Sequence, residues 1–339
     1  MSGSSLHEIA CALVAPGKGI LAADESGGTI KKRFDSIGVE STEDRRRAYR
    51  EMLFTTAGAA EFVSGVILYD ETIRQSASDG RTLVQVLVDQ GIMPGIKVDA
   101  GAKPLAGADG ELVTEGLDGL RERLTEYVAL GARFAKWRAV ITIGDSIPSP
   151  YCIAVNAHAL ARYAALCQEA GLVPIVEPEV LMDGAHDLAR CSAVTEATLH
   201  AVFSALYEQR VALDGMLLKP NMVVSGSTGA VQASVDEVAD ATLGVFRATV
   251  PAAVPGIVFL SGGQSDEDAT AHLDAMNRRG PHPWELSFSY GRALQAPALS
   301  AWGGSDAHAA DGQAAYLKRA RLNGAARRGA YTPQLEQTA

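Results

Sequence analysis

The amino-acid sequence predicts an α/β fold of the closed (β/α)8 type, a TIM barrel. Eight short apolar runs each end in polar or charged residues, and segments with helical periodicity lie between them. Strands that alternate with helices pair in parallel, and strands buried on both faces favour a closed barrel over an open sheet. We expect one barrel domain over residues 1–339, because no linker interrupts the chain.

The eight runs follow one another along the whole chain. In order they read "GILAADES", "VSGVILYDE", "MPGIKVD", "FAKWRAVI", "VPIVEPE", "MLLKPN", "GIVFLSGG" and "LSFSYGR". Residues 117–131, 156–171 and 196–211 place apolar side chains at i, i+3, i+4 and i+7, which predicts amphipathic helices. Ser234 with Glu237, and Ser265 with Asp268, have the spacing of capping boxes and are expected to open two further helices.

Composition and charge exclude several classes of protein. The formal net charge of −10 argues against generic nucleic-acid binding, and the basic stretch "LKRARLNGAARRG" is interpreted as a solvated helix face. The longest uncharged stretch, near "VPAAVPGIVFLSGG", is interrupted by Pro251 and Pro255 and is not expected to span a membrane. The start of the chain has no charged region before its apolar residues, so no targeting signal is indicated. We expect a cytoplasmic protein.

Cysteine and histidine spacing indicates no bound metal. The four cysteines lie far apart without a CxxC motif, and they are expected to be reduced thiols. The seven histidines show no HxH or HxxxH spacing, and neither GxGxxG nor a Walker A motif occurs. We therefore expect neither a cofactor nor a metal.

The candidate site residues stand at the ends of the apolar runs. Catalytic groups of (β/α)8 enzymes lie at the carboxyl ends of the strands. Those ends carry Asp24, Glu25, Asp70, Glu71, Lys97, Lys136, Arg138, Glu177, Glu179 and Lys219. Because residues i and i+2 of a strand face the same way, Lys136 with Arg138, and Glu177 with Glu179, should point into one space.

The last two runs predict a phosphate site. Phosphates in these barrels are often held after strands seven and eight. The seventh run ends in "LSGGQS" and the eighth in "SYGRA". Glycines let backbone N–H groups approach an anion, so Ser261, Gly262, Gly291 and Arg292 should surround it.

Strand-end lysines without a cofactor motif favour Schiff-base chemistry. A lysine amine can capture a ketone, and the resulting imine accepts electrons when a neighbouring bond breaks. The amine attacks only when neutral, and apolar walls with a neighbouring cation favour that form. Spacing alone leaves Lys97, Lys136 and Lys219 as candidates.

Seven motifs together resemble class I fructose-bisphosphate aldolase. They are "ILAADES", "GIKVD", "FAKWR", "PIVEPE", "LLKPNMV", "LSGGQS" and "SFSYGRALQ", and the similarity extends from about residue 7 to about residue 333. The resemblance implies reversible cleavage of fructose 1,6-bisphosphate to dihydroxyacetone phosphate and glyceraldehyde 3-phosphate, in glycolysis and gluconeogenesis. A relative acting mainly on fructose 1-phosphate or sedoheptulose 1,7-bisphosphate, and an inactive barrel serving as a binding scaffold, remain alternatives.

The resemblance also assigns roles to residues. It implies that Lys219 forms the Schiff base, that Glu177 is the general acid/base, and that Lys136 stabilises developing negative charge. Glu179 is expected to orient Lys136, and Asp24 to lie near the C3 and C4 hydroxyls. Ser261, Gly262, Gly291 and Arg292 are expected to bind the C1 phosphate, and Ser26, Arg33, Arg46, Lys97 and Arg138 are expected around the C6 phosphate end. Thr29, Gly263 and Ser289 are also expected to bind substrate or phosphate. Thr29 replaces the serine of many relatives and keeps a hydroxyl.

The resemblance further suggests a homotetramer whose partners are sugar phosphates. The C-terminal residues 334–339 are expected to form a short flexible tail that catalysis does not need, because termini are usually disordered unless tied down.

Overall fold

Eight parallel strands form a closed barrel in the computed structural model, which describes residues 5–338. Each strand pairs with the next, and the last pairs with the first, where Ile20 lies opposite Ser289. The strands are β1 (Gly19–Ala23), β2 (Val63–Leu68), β3 (Met93–Lys97), β4 (Phe134–Ile141), β5 (Val173–Val180), β6 (Leu217–Leu218), β7 (Gly256–Phe259) and β8 (Glu285–Tyr290). The predicted barrel is confirmed, and each apolar run forms one strand.

Helices surround the barrel. Their bounds are α1 (Leu6–Leu13), α2 (Gly27–Asp35), α3 (Glu43–Phe54), α4 (Asp70–Ile73), α5 (Leu83–Asp89), α6 (Leu120–Ala129), α7 (Pro150–Glu169), α8 (Leu188–Glu208), α9 (Val235–Thr249), α10 (Asp266–Arg278), α11 (Arg292–Trp302), α12 (Ala309–Ala326) and α13 (Leu335–Thr338). The three periodic segments lie within or overlap α6, α7 and α8. Within residues 5–338, every helix is too short or too polar to span a bilayer.

The two expected helix starts are present. Ser234 caps α9 with a reciprocal capping box to Glu237. Ser265 caps α10 by accepting from the N–H of Asp268, without the reciprocal contact. Both helices therefore begin directly after the loops that follow β6 and β7.

The sixth strand is short, and a proline follows Lys219 directly after it. Proline lacks the N–H that a strand ladder requires. The N–H of Lys219 itself still donates to the carbonyl oxygen of Val176 in β5 at 2.8 Å. The backbone at Lys219 is thus fixed at the strand end.

Side chains of the strands alternate between two environments. On β4, Trp137 faces outward and packs on Tyr163 of α7, with 5.6 Å between ring centroids. Phe134 belongs instead to an inner apolar cluster with Ile20, Val173 and Leu217. This alternation is the period of two that a pleated strand imposes.

Helix α1 closes the amino-terminal end of the barrel. Leu13 at its end and Val14, the residue that follows it, join the inner apolar cluster. Two strand glycines make this approach possible: a Cβ at Gly65 would lie 2.8 Å from Leu13, and one at Gly256 would lie 2.6 Å from Val14. The lower half of the barrel is therefore a packed core.

The C-terminal residues lie against α12. Glu336 accepts hydrogen bonds from Arg319 at 2.6 Å and from the hydroxyl of Tyr331 at 3.0 Å, and Lys318 donates to its backbone carbonyl. Residues 334–338, the described part of the expected tail, thus contact α12, and the flexibility of 334–339 stays a prediction. The physical reason for this contact is that Arg319, only 3% exposed, needs a buried counter-charge. Ala339 lies outside the described residues.

Candidate active site

A cavity of about 220 Å³ opens at the carboxyl ends of the strands. It lies where the strand-end rule predicted. Six cationic and four carboxylate side chains line it, which leaves a surplus of two positive charges in an acidic chain. The lining residues are Ala22, Asp24, Glu25, Ser26, Thr29, Arg33, Lys97, Lys136, Arg138, Glu177, Glu179, Lys219, Leu260, Ser261, Gly262, Ser289, Gly291 and Arg292.

Lys219 and Lys136 both contact Glu177, one at each carboxylate oxygen. The Nζ of Lys219 lies 3.1 Å from Oε1, and the Nζ of Lys136 lies 3.1 Å from Oε2. Lys136 also forms an ion pair with Asp24 at 2.8 Å. All four residues come from different strand ends, and their side chains are at most 12% exposed. The four form one buried charge network.

The network fixes the charges of three of its members. Burial by itself would raise the pKa of Asp24 and of Glu177, but the ammonium groups of Lys136 and Lys219 outweigh burial and hold both pKa values below their usual ranges. Burial would lower the pKa of Lys136, whereas Asp24 and Glu177 raise it well above its usual range. Lys136 therefore stays a cation between two carboxylates at neutral pH.

Glu179 contacts a different partner from the one expected. Its carboxylate accepts from Nε of Arg138, and Lys136 is held by Asp24 and Glu177. The strand register explains this correction. Arg138 lies opposite Glu177, and Lys136 lies one pleat deeper, opposite Ile175. The longer Arg138 therefore reaches Glu179 at the rim.

The rim at β3 contains a carboxylate that strand-end reasoning did not single out. Asp99 lies 3.2 Å from the Nζ of Lys97, and it accepts from the backbone N–H of Arg138. Asp99 follows Lys97 by two residues, so the i, i+2 rule could have identified it. The pair holds Lys97 at the edge of the cavity.

The loops after β7 and β8 form the expected anion-binding end. Gly262 has φ of +61°, a backbone conformation that favours glycine, and its carbonyl accepts from the guanidinium of Arg292. Gly291 precedes the first residue of α11 and lines the cavity with Arg292, and the first N–H groups of a helix are suited to bind an anion. The hydroxyl of Ser289 is buried and has no hydrogen-bond partner among the described residues.

Two expected binding residues lie outside this cavity. Gly263 donates its N–H to the Sδ of Met182 at 3.0 Å and lines a neighbouring cavity. Arg46 is paired with Glu71 and donates to the carbonyl of Ser41 at 2.9 Å. Glu71 and Ser41 thus hold the guanidinium of Arg46 outside the cavity, and substrate binding by Gly263 and Arg46 stays a prediction.

The start of α2 supplies further polar groups to the cavity. The hydroxyls of Ser26 and Thr29 lie 3.2 Å apart, and Ser26 makes no capping hydrogen bond with its side chain. Arg33 reaches across the cavity, so that a Cβ at Gly291 would lie 3.4 Å from its guanidinium. Arg33 therefore lies beside the anion-binding loops after β7 and β8.

Two other strand-end carboxylates form peripheral ion pairs. Asp70 contacts Arg74 at 2.9 Å and the hydroxyl of Tyr127, and Glu71 holds Arg46.

Among residues 5–338, no three His, Cys, Asp or Glu side chains are arranged to hold a metal ion.

Sequence comparisons identify relatives over nearly the whole chain. A family model described as class-I fructose-bisphosphate aldolase matches residues 5–339. A probable class 1 fructose-bisphosphate aldolase from Xanthomonas campestris is 61% identical over 96% of this chain and 98% of that protein. A cytosolic fructose-bisphosphate aldolase from Arabidopsis thaliana is 54% identical over 93% of this chain and 81% of the relative.

A solved structure has the same fold. It contains a fructose-bisphosphate aldolase from Plasmodium falciparum in a ternary complex with TRAP and a small-molecule inhibitor. The two chains superpose with a TM-score of 0.95 at 49% identity, covering 96% of this chain and 95% of the other.

Proposed function

The chain belongs to the class I fructose-bisphosphate aldolase family, and from this premise we propose that Lys219, Glu177 and Lys136 carry out its reaction. The chain is a carbon–carbon lyase that cleaves fructose 1,6-bisphosphate reversibly to dihydroxyacetone phosphate and glyceraldehyde 3-phosphate. The observation that carries the residue assignment is the buried network in which both lysines contact one carboxylate.

Lys219 is the proposed nucleophile because its surroundings differ from those of the other two cavity lysines. Two carboxylates hold Lys136 as an ammonium ion, and Lys97 is paired with Asp99 at the rim. Lys219 contacts only Glu177 among the carboxylates of the ion pairs and follows the apolar β6. It can become a neutral amine by passing one proton to Glu177.

Glu177 then acts as the general acid and base. The neutral amine of Lys219 adds to the C2 ketone, and the ketone oxygen takes up a proton to form a carbinolamine. Glu177 protonates the departing hydroxyl, and water leaves with formation of a protonated imine. Glu177 is again a carboxylate after this step.

Carbon–carbon cleavage uses the same cluster. The O4 proton passes to a carboxylate of the Asp24–Lys136–Glu177 cluster, the C3–C4 bond breaks, and its electron pair moves into the imine to give an enamine. C4 leaves as the aldehyde of glyceraldehyde 3-phosphate. The ammonium of Lys136, fixed between two carboxylates, stabilises negative charge that develops during this step.

The two phosphates are assigned to opposite groups of cavity residues. Ser261, Gly262, Ser289, Gly291 and Arg292 bind the C1 phosphate through hydroxyls, backbone N–H groups and one guanidinium. The C6 end is bound by Ser26, Thr29, Lys97 and Arg138. The surplus of positive charge in the cavity favours a bisphosphate.

Substitution of Glu177 tests this assignment. A general acid–base group contributes roughly 10²–10⁴-fold, so Glu177→Gln is expected to lower kcat for fructose 1,6-bisphosphate by that factor while substrate still binds. Glu71→Gln, which removes a carboxylate outside the cavity, serves as the control and is expected to turn over normally. Near-normal turnover of Glu177→Gln would contradict the assigned role.

The scaffold alternative has no supporting observation. A barrel that had lost catalysis would be expected to lack one of Lys219, Glu177 or Lys136, yet all three are in contact.

Location and assembly are proposed on family grounds. The Arabidopsis relative is named cytosolic, which supports a cytoplasmic site of action in glycolysis and gluconeogenesis. A homotetramer is proposed from the family resemblance, and the large exposed side chains Tyr207 and Val231 are compatible with a buried interface. Sedimentation of the purified protein measures the assembly directly, and a monomer would contradict it.

A further inference from the structure

A buried carboxylate next to Asp24 is left without a role by the mechanism. The side chain of Glu25 is 4% exposed, and it lines the cavity. A charged carboxylate in such a place is costly unless it is paired and hydrogen-bonded. Its partners therefore indicate what it does.

Three side chains from three helices converge on Glu25. Arg50 of α3 donates to Oε2 at 2.5 Å, Gln295 of α11 donates to Oε1 at 2.8 Å, and Arg33 of α2 donates to Oε1 as well. Arg50 is itself fully buried and also donates to Thr72. Arg50 and Gln295, which do not line the cavity, thus fix the position of the Glu25 carboxylate on the side away from the cavity.

The amide of Gln295 has its orientation set by three contacts. Its Nε2 donates to the backbone carbonyl of Ala22 at 2.7 Å as well as to Glu25, and its Oε1 accepts from the hydroxyl of Tyr49 at 3.1 Å. Gln295 therefore ties the carboxylate to β1.

Arg33 is the one partner that reaches the cavity. One edge of its guanidinium contacts Glu25, and the other lies beside Gly291 at the proposed phosphate end. Glu25 shares its single negative charge between Arg33 and Arg50, so a positive charge remains for an anion. A guanidinium held in this way is suited to bind a phosphate oxygen pair.

We propose that Glu25 is a positioning residue that, with Arg50 and Gln295 behind it, holds the guanidinium of Arg33 at the phosphate site beside Gly291. The proposal rests on the proposed function, because it assigns the ligand of that site as a sugar phosphate. Glu25 acts through Arg33 and does not touch the substrate. Its effect should therefore appear in phosphate affinity and vanish when Arg33 is absent.

The test is a double-mutant cycle with inorganic phosphate as the probe. Dissociation constants are measured at one ionic strength for the wild type, Glu25→Gln, Arg33→Gln and the double variant. Each single change is expected to weaken phosphate binding about tenfold or more, because a charge-assisted contact is lost or misplaced. The double variant should be no weaker than either single variant, since the two residues act as a unit.

Controls separate positioning from a merely structural role. Glu71→Gln breaks the Arg46–Glu71 pair outside the cavity and is expected to keep wild-type phosphate affinity. Wild-type affinity in a folded Glu25→Gln protein, or additive effects in the cycle, would overturn the proposal. If Glu25→Gln does not fold, Gln295→Leu replaces it in the same cycle with Arg33→Gln, and the same two outcomes decide.

Failure of this proposal can be told from failure of the proposed function. Wild-type protein treated with dihydroxyacetone phosphate and borohydride should carry a covalent adduct whether or not Glu25 positions Arg33. If the adduct forms but the effects of the two substitutions on phosphate binding are additive, only the positioning role of Glu25 is overturned. If the adduct does not form, the Schiff-base function itself is overturned.

Discussion

The lower and upper halves of the barrel interior are built from the same strands and differ in their chemistry. On β4, the inward residues from bottom to top are Phe134, Lys136 and Arg138. On β5, Ile175 belongs to the apolar cluster and Glu177 to the charge network. The change from apolar to charged takes place within one pleat, about 7 Å of strand.

This difference separates stability from catalysis. Burial of apolar side chains contributes about 25 cal/mol per Å², whereas buried ion pairs often contribute nothing net or destabilise. The lower half therefore accounts for stability, and the upper half places charges where substrate contacts them. Substitutions in the lower half should therefore mainly lower the free energy of unfolding, whereas substitutions in the upper half should mainly lower kcat.

Removal of Lys219 is expected to have the largest effect. Lys219→Met deletes the proposed nucleophile with little change in volume, and kcat should fall on the order of 10⁴-fold or more, as when other covalent nucleophiles are removed. Glu177 keeps Lys136 as a partner, so the loss in free energy of unfolding should be limited to about 1–3 kcal/mol, the cost of a buried group that loses one of two partners. Turnover assays with thermal unfolding check both expectations, and residual activity within tenfold of wild type would contradict the role.

Truncation of Phe134 should give the reverse result. Its ring is fully buried and packs against Gly65 and Gly95 in the lower half. Phe134→Ala is expected to lower the free energy of unfolding by about 3–5 kcal/mol, while kcat of the folded protein stays near wild type. Urea unfolding and an activity assay at low temperature measure the two quantities. A large loss of kcat without loss of stability would contradict the assignment of stability to the lower half of the barrel.

Removal of residues 334–339 should affect stability more than catalysis. Arg319 would lose the carboxylate of Glu336, at a cost of about 1–3 kcal/mol for a buried group left without one partner. Because none of the described residues of this segment lines the cavity, kcat should change less than about threefold. Loss of activity at unchanged stability would assign the segment a catalytic role.

The effect of pH should be smallest and confined to acid. The pKa values of Asp24 and Glu177 are lowered in the folded protein, so their ionised forms stabilise the fold above the unfolded values of about 4. That contribution is lost as pH falls through the folded pKa values, because the unfolded chain binds protons first. Wild type should therefore lose stability relative to Glu177→Gln only below about pH 4.5, as urea unfolding between pH 3 and 7 can measure. A constant difference over that range would contradict the charge network.

The sequence predicts the strands and their inward faces well, because periodicity and strand ends determine both. The strand ends mark Lys136, Glu177 and Lys219 among ten charged candidates, of which Asp70 and Glu71 lie outside the cavity, and only the family resemblance distinguishes Lys219 from the other lysines. Partner choice was less predictable: Glu179 pairs with Arg138, since pleat depth and side-chain length decide the contact. The sequence does not predict the direction of the Arg46 side chain, because the rotation of α3 about its axis and the ion pair with Glu71 depend on tertiary packing.

The Schiff-base role of Lys219 is tested most directly by identifying the lysine that borohydride traps with dihydroxyacetone phosphate. Reduction converts the imine to a stable amine, and peptide mapping locates it. One labelled residue is expected, Lys219, at the boundary between the apolar and charged halves of the barrel. A label on Lys97 or Lys136 would contradict it.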